Sequence, residues 1–134
     1  MTPFFDTNIL VYTVTSDPRK IRADQLLQRG GVVSAQVLNE FTNVARNKLL
    51  HGWADIEFAI VQFRTALDSI LPLTVETHSA ALGIARDHGL AFYDALIVAS
   101  ALEVGCDTLF SEDLQDGRAF GGLTIRNPFR ENAP

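Results

Sequence analysis

The chain has 134 residues, 47% of them hydrophobic and 20% charged, with a formal net charge of −5. That length carries one domain with a real core rather than two ordinary ones, and the composition excludes a disordered chain. Acidity speaks against a nucleic-acid binder that works through a broad basic patch, but not against an enzyme whose acids are gathered around metal.

No apolar run reaches the roughly 18–20 residues of a membrane span, and Met1-Thr2-Pro3 lacks the basic region of a secretory leader. The single cysteine, Cys106, leaves no intrachain disulfide and suits a reducing cytoplasm. It lies between Gly105 and Asp107 with no histidine beside it, and reads as buried filler.

Thr2 to Phe5 reads as a short strand that runs on towards Asp6. Asp17-Pro18 opens a helix, because Asp caps and Pro suits the first helical position. Ile21, Leu26 and Leu27 give it an apolar face, and Gly30-Gly31 stops it. Val32-Val33 is a second strand, and Ser34 caps a helix running to about Leu50. A third helix spans Ala54 to Ser69, followed by a strand from Leu71 to Val75. Thr77 to His88 is a helix ended by Gly89. Phe92 to Val104 is apolar nearly all the way round, which is the pattern of a buried helix. Asp107 to Phe110 and Leu123 to Ile125 close the series as strands. The order βαβααβααββ predicts a three-layer α/β/α sandwich around a mostly parallel sheet, as one domain over residues 1–134.

In such a sheet, ligands bind beyond the carboxyl ends of the strands. Asp6 ends the first strand, while Ser111, Glu112 and Asp113 follow Thr108 to Phe110. Both acidic groups therefore fall on one edge of the sheet. Asp94 sits in the first turn of the buried helix, where free N–H groups favour negative charge. Glu40 lies at the border of the stripe formed by Val37, Leu38, Phe41, Val44 and Ala45, so its carboxylate reaches either a cleft or water. Asp113 and Asp116 are either site residues or ordinary turn acids.

Converging carboxylates repel and raise one another's pKa, a penalty that a divalent cation removes. Oxygen-only ligands with bound water suit Mg²⁺ or Mn²⁺, which activate water and offset phosphoryl charge. On that reading Asp6, Glu40, Asp94 and Asp113 hold the cation or orient its waters. Thr7, Asn8 and Ser111 supply neutral groups for water or phosphate oxygens, and Arg46, Lys48 and Arg118 are candidates for phosphate contact. His51, His78 and His88 lie at helix ends and read as structural. Trp53, at a helix start, reads as core or dimer surface, and Asp107 as an ordinary strand-start acid.

Four segments in order resemble the motifs of PIN-domain nucleases: Phe4-Phe5-Asp6-Thr7-Asn8-Ile9-Leu10, Leu38-Asn39-Glu40-Phe41, Phe92-Tyr93-Asp94-Ala95-Leu96-Ile97, and Leu109-Phe110-Ser111-Glu112-Asp113-Leu114-Gln115-Asp116-Gly117. Asn127-Pro128-Phe129 is similar to the tail of many short members. Each motif alone is weak, and the four in sequence are specific. The size resembles the toxin half of a VapBC toxin–antitoxin pair. The resemblance implies a Mg²⁺- or Mn²⁺-dependent endoribonuclease that hydrolyses RNA with metal-activated water, leaving a 5′-phosphate and a 3′-hydroxyl. It also implies a homodimer, and inhibition by a small VapB-type antitoxin. Asp6, Glu40, Asp94 and Asp113 become the acidic quartet, with Asp6, Asp94 and Asp113 on metal and Asp116 as an alternative or additional ligand. A haloacid-dehalogenase-like phosphatase also places an aspartate after its first strand, but uses Asp-x-Asp where this chain has Asp6-Thr7-Asn8. A non-catalytic scaffold of the same fold would have lost an acid, and all four stand here.

Overall fold

The structure is a computed structural model and describes residues 2–130. Its centre is β1 (Phe4–Phe5), two phenylalanines with no exposed surface. The approach of the neighbouring chain to β1 explains Gly31: a Cβ there would lie 2.2 Å from the Phe5 ring. After β1 the chain does not continue as strand. The Asp6 carboxylate accepts the Thr7 N–H at 2.7 Å and caps α1 (Thr7–Tyr12), a helix the sequence pattern did not predict.

Asp17 accepts the Arg19 N–H at 2.9 Å in the turn before the helix but does not cap it, because α2 (Lys20–Arg29) begins two residues later than Pro18 suggested, with Arg19 at its N-cap. β2 (Val32–Ser34) ends in Ser34, whose hydroxyl accepts the Val37 N–H at 3.4 Å and starts α3 (Ala35–Asn47). α4 (Trp53–Ala66) stops three residues short of the expected end, and β3 (Ser69–Leu71) begins at Ser69, two residues before the expected strand start. Pro72 follows β3 directly. Thr74 then caps α5 (Val75–His88), so helix occupies part of what read as strand. Gly89 ends α5 in the left-handed conformation, φ 67°, where only glycine is unstrained. α6 (Phe92–Glu103) has seven consecutive buried residues, Ala95 to Ala101, as its apolar sequence required. β4 (Thr108–Phe110), β5 (Ala119–Phe120) and β6 (Leu123–Arg126) complete the chain. β5 is too short and too broken by glycine to show as a periodic pattern.

The sheet has the order β3-β2-β1-β4-β6-β5, parallel throughout except for β5 against β6. With helices on its two faces it forms the predicted three-layer α/β/α sandwich. The chain builds outward from β1 to β2 and β3, then returns to place β4 on the other side of β1. The β1/β4 boundary is thus the topological switch point, the place where ligands bind beyond the carboxyl ends of the strands in such sheets. Phe4, Phe5, Ile9, Leu10, Val33, Val37, Phe41, Ile97, Leu109, Leu123 and Ile125 are buried and form the bulk of the core. Each such side chain contributes about 1.5–3 kcal/mol on leaving water. The core therefore fixes the ends of β1 and β4, which Asp6 and Asp113 follow. Among the described residues, no helix is long and apolar enough to cross a membrane.

Candidate active site

Asp6 stands at the switch point, between β1 and α1. Its N–H donates to the Phe110 carbonyl at 2.9 Å, so pairing with β4 continues one residue beyond β1. One carboxylate oxygen accepts Thr7 N–H; the other accepts the Ser111 hydroxyl at 2.6 Å. Asp6 is only 4% exposed. Burial pushes its carboxyl up to about 6, against the pull of both hydrogen bonds, and the charges of Asp94 and Asp113 push the same way.

Ser111 is the joint between the first and fourth motifs. Its hydroxyl donates to Asp6 and accepts the N–H groups of Asp113, at 3.2 Å, and Leu114, at 3.1 Å. Fully buried, it fixes the start of the loop that carries Asp113. Glu40 reaches the same place from α3: the Thr7 hydroxyl donates to its Oε1 at 3.2 Å. Burial lifts the Glu40 carboxyl to about 7, helped by the charges of Asp6, Asp94 and Asp113. Glu40 is therefore half-buried against Thr7 rather than plainly solvated. Asp94, in the first turn of α6, is raised by burial and then by the charge of Asp113. Asp113 itself is exposed, and the Asn8 side-chain amide donates to its Oδ2 at 3.2 Å.

Asp6, Glu40, Asp94 and Asp113 thus come from four separate segments and feel one another's charge. Asp116 stands elsewhere. It accepts the Asn127 N–H at 2.7 Å and pairs with Arg130, and these contacts hold its carboxyl below the usual range. It braces the segment after β6.

The donor set of the four acids is all oxygen, which suits a hard divalent cation. Among the described residues, no three acidic, histidine or cysteine side chains are gathered tightly enough to enclose an ion by themselves.

The other sequence-derived candidates have local tasks in this arrangement. Thr7 and Ser111 hold the acids, and Asn8 bridges to Asp113. Arg46 lies over the Trp53 ring, 4.5 Å from its centre, and donates to the His51 carbonyl. Trp53 is 55% exposed, so the core reading of it fails: it opens α4 on the outer side of the helix. Arg118 donates to the His88 carbonyl at 2.6 Å and covers the Phe120 ring. His78 and His88 rest on Phe92 and Phe120, as structural histidines do. Cys106 is buried, as expected.

Sequence reasoning named Glu112 only as part of the acidic loop after β4, and did not single out Tyr12 or Arg19. Glu112 accepts the Tyr12 hydroxyl and pairs with Arg19 at 2.9 Å, while Arg19 lies over the Tyr12 ring. Tyr12 and Glu112 are 100 positions apart, so no local signal could have joined them.

The family model described as PIN domain matches residues 4–116. No curated protein matches the chain by sequence. Among solved structures, the chain is similar to VapC20 of Mycobacterium tuberculosis, described as a sarcin–ricin loop cleaving toxin. The TM-score is 0.70 at 20% identity, over 84% of this chain and 92% of that one. A chain of a toxin–antitoxin complex from Klebsiella pneumoniae gives a TM-score of 0.72 at 19% identity, over 96% and 98%. A chain of VapBC2 from Rickettsia felis, bound to a DNA fragment from their promoter, gives 0.69 at 19% identity, over 95% and 98%.

Proposed function

The chain belongs to the PIN domain family, and from that premise we propose that it is a Mg²⁺- or Mn²⁺-dependent endoribonuclease, the toxin of a VapBC-type pair. The observation that carries this reading is the convergence of Asp6, Glu40, Asp94 and Asp113 at the switch point, where burial and the neighbouring acidic charges raise the carboxyls of Asp6, Glu40 and Asp94. A cluster of this kind costs stability unless a cation offsets it. The likeness in fold to a sarcin–ricin loop cleaving toxin supports RNA as the substrate. The likeness to chains of toxin–antitoxin complexes supports a VapB-type antitoxin as partner, and the homodimer is what the family resemblance implies.

In this reading Asp6, Asp94 and Asp113 hold the cation, and Glu40 completes the acidic set. When bound, the cation lowers the pKa of coordinated water and offsets charge on the phosphoryl group. Ser111 and Thr7 keep the carboxylates aimed. Glu40, half-buried beside Thr7, would receive the proton of the attacking water as the P–O3′ bond breaks, and the departing 3′-oxygen would take a proton from solvent water, leaving a 5′-phosphate and a 3′-hydroxyl. Asp116 is assigned to bracing rather than to metal.

The test is cleavage of structured RNAs by purified, antitoxin-free protein with Mn²⁺, with EDTA, and with Asp94→Asn. Cleavage that needs Mn²⁺, that the variant lacks and that leaves 5′-phosphate ends supports the reading. Products ending in a 2′,3′-cyclic phosphate overturn it, because water attack leaves the 2′-hydroxyl untouched.

A further inference from the structure

Asp113 differs from its partners in one respect: it is exposed and sits on a loop, whereas Asp6 is held by the core and Glu40 and Asp94 by helices. An exposed side chain loses rotamer freedom when it engages a ligand. The structure already contains a device that limits this loss.

The Asn8 side chain uses both ends of its amide. Its oxygen accepts the Glu112 N–H at 3.3 Å, and its nitrogen donates to Asp113 Oδ2 at 3.2 Å. The first bond settles which way the amide points, so the donor end faces the carboxylate. Glu112 is anchored in turn. Its carboxylate takes the Tyr12 hydroxyl and the Arg19 guanidinium, and Arg19 is also paired with Asp17 at 3.0 Å. Tyr12 packs edge-on against Phe129, with ring centres 5.1 Å apart. The loop carrying Asp113 is therefore clamped on its α1 side by Tyr12 and Arg19, with Asn8 transmitting the position.

We propose that Asn8, set by the Tyr12–Arg19–Glu112 clamp, is a positioning residue that pre-orients Asp113 for a divalent cation. Asn8 thus serves a carboxylate rather than a phosphate oxygen. The inference rests on the proposed metal role of Asp113 and adds to it the groups that hold that side chain in place. Residues one step behind a metal ligand typically change metal affinity about 10–100-fold when removed. Asn8 makes direct contact, and Tyr12 acts through two intermediaries, so their effects should be graded.

The experiment is calorimetric titration of Mn²⁺ into the RNA-free protein, with thermal unfolding measured on each variant. Asn8→Ala should weaken Mn²⁺ binding about tenfold. Tyr12→Phe, which removes one hydroxyl and no charge, should weaken it about two- to threefold while the fold stays intact. Asp113→Asn serves as the reference. If Asp113→Asn loses affinity while Asn8→Ala and Tyr12→Phe bind as the parent does, the positioning role is overturned and the metal assignment stands. If Asp113→Asn also binds as the parent does, both fall. A lowered Tm with unchanged Mn²⁺ affinity marks Asn8 as a purely structural link and also overturns the inference.

Discussion

Asp6 and Asp116 have similar local chemistry and opposite fates. Each accepts one backbone N–H, from Thr7 or from Asn127, and each has one side-chain donor, Ser111 or Arg130. Yet the Asp6 carboxyl rises to about 6, and that of Asp116 falls below the usual range. The difference lies in what surrounds them. Asp6 is buried with two other acids acting on it, and its side-chain donor is neutral. Asp116 is partly exposed to water, and its donor is a cation. Hydrogen bonds alone do not settle a carboxylate; burial and the sign of the neighbours decide whether it is a brace or a group in need of a counter-charge. A shift from 3.8 to about 6 corresponds to about 3 kcal/mol of strain at neutral pH on the Asp6 site alone. That is a large share of the roughly 5–15 kcal/mol that keeps a domain folded.

The contrast can be broken at several points. The largest effect is expected at Asp94. Asp94→Asn should lower RNA cleavage at least about a hundredfold, read as initial rate with excess Mn²⁺, because one of few metal-binding groups is lost. Next comes pH. Asp6 and Glu40 bind protons more tightly folded than unfolded, so their contribution is complete below about pH 4 and is lost as pH rises through about 6 and 7. In EDTA, Tm should therefore fall between about pH 4.5 and 7.5, the reverse of a protein governed by salt-bridged carboxylates. Flat or rising Tm across that window would show that the cluster is not strained.

A smaller gain should follow from Glu40→Gln, which removes a half-buried charge. Allowing for solvent screening, about 1–2 kcal/mol at pH 7.5 in EDTA raises Tm by a few degrees. Unfolding scans that show the variant less stable than the parent would contradict it. The smallest effect is at the brace: Asp116→Ala should lower Tm slightly and leave Mn²⁺ affinity in calorimetry as it was. A marked loss of affinity would return Asp116 to the metal site.

The same contrast shows what the sequence made legible. Helix α6 and the strand-ending position of Asp6 were readable because an apolar run is informative over ten residues. The four motifs were readable because their order along the chain is fixed by the sheet topology. α1 was hidden because Asp6 serves at once as strand end, helix cap and site residue, and pattern reading assigned it only to the strand and the site. β3 slid because Ser69 to Leu71 continues the hydrophobic rhythm of α4, and only pairing with β2 decides for strand. The distinction between Asp113 and Asp116 was invisible, since both lie in one turn-rich loop. Arg130, which claims Asp116, is 14 positions further on. The Tyr12–Glu112 clamp was hidden for the same reason, at greater range.

The central claim is that the four acids form a strained cluster which a divalent cation relieves. Thermal unfolding of the parent and of Asp94→Asn at pH 7.5, each in EDTA and in excess Mn²⁺, tests it most directly. At a hundredfold excess over Kd, binding contributes about 2.7 kcal/mol. The parent should therefore gain several degrees with Mn²⁺, and Asp94→Asn should start higher in EDTA and gain little. A parent indifferent to Mn²⁺, or a variant that gains as much as the parent, would contradict the account.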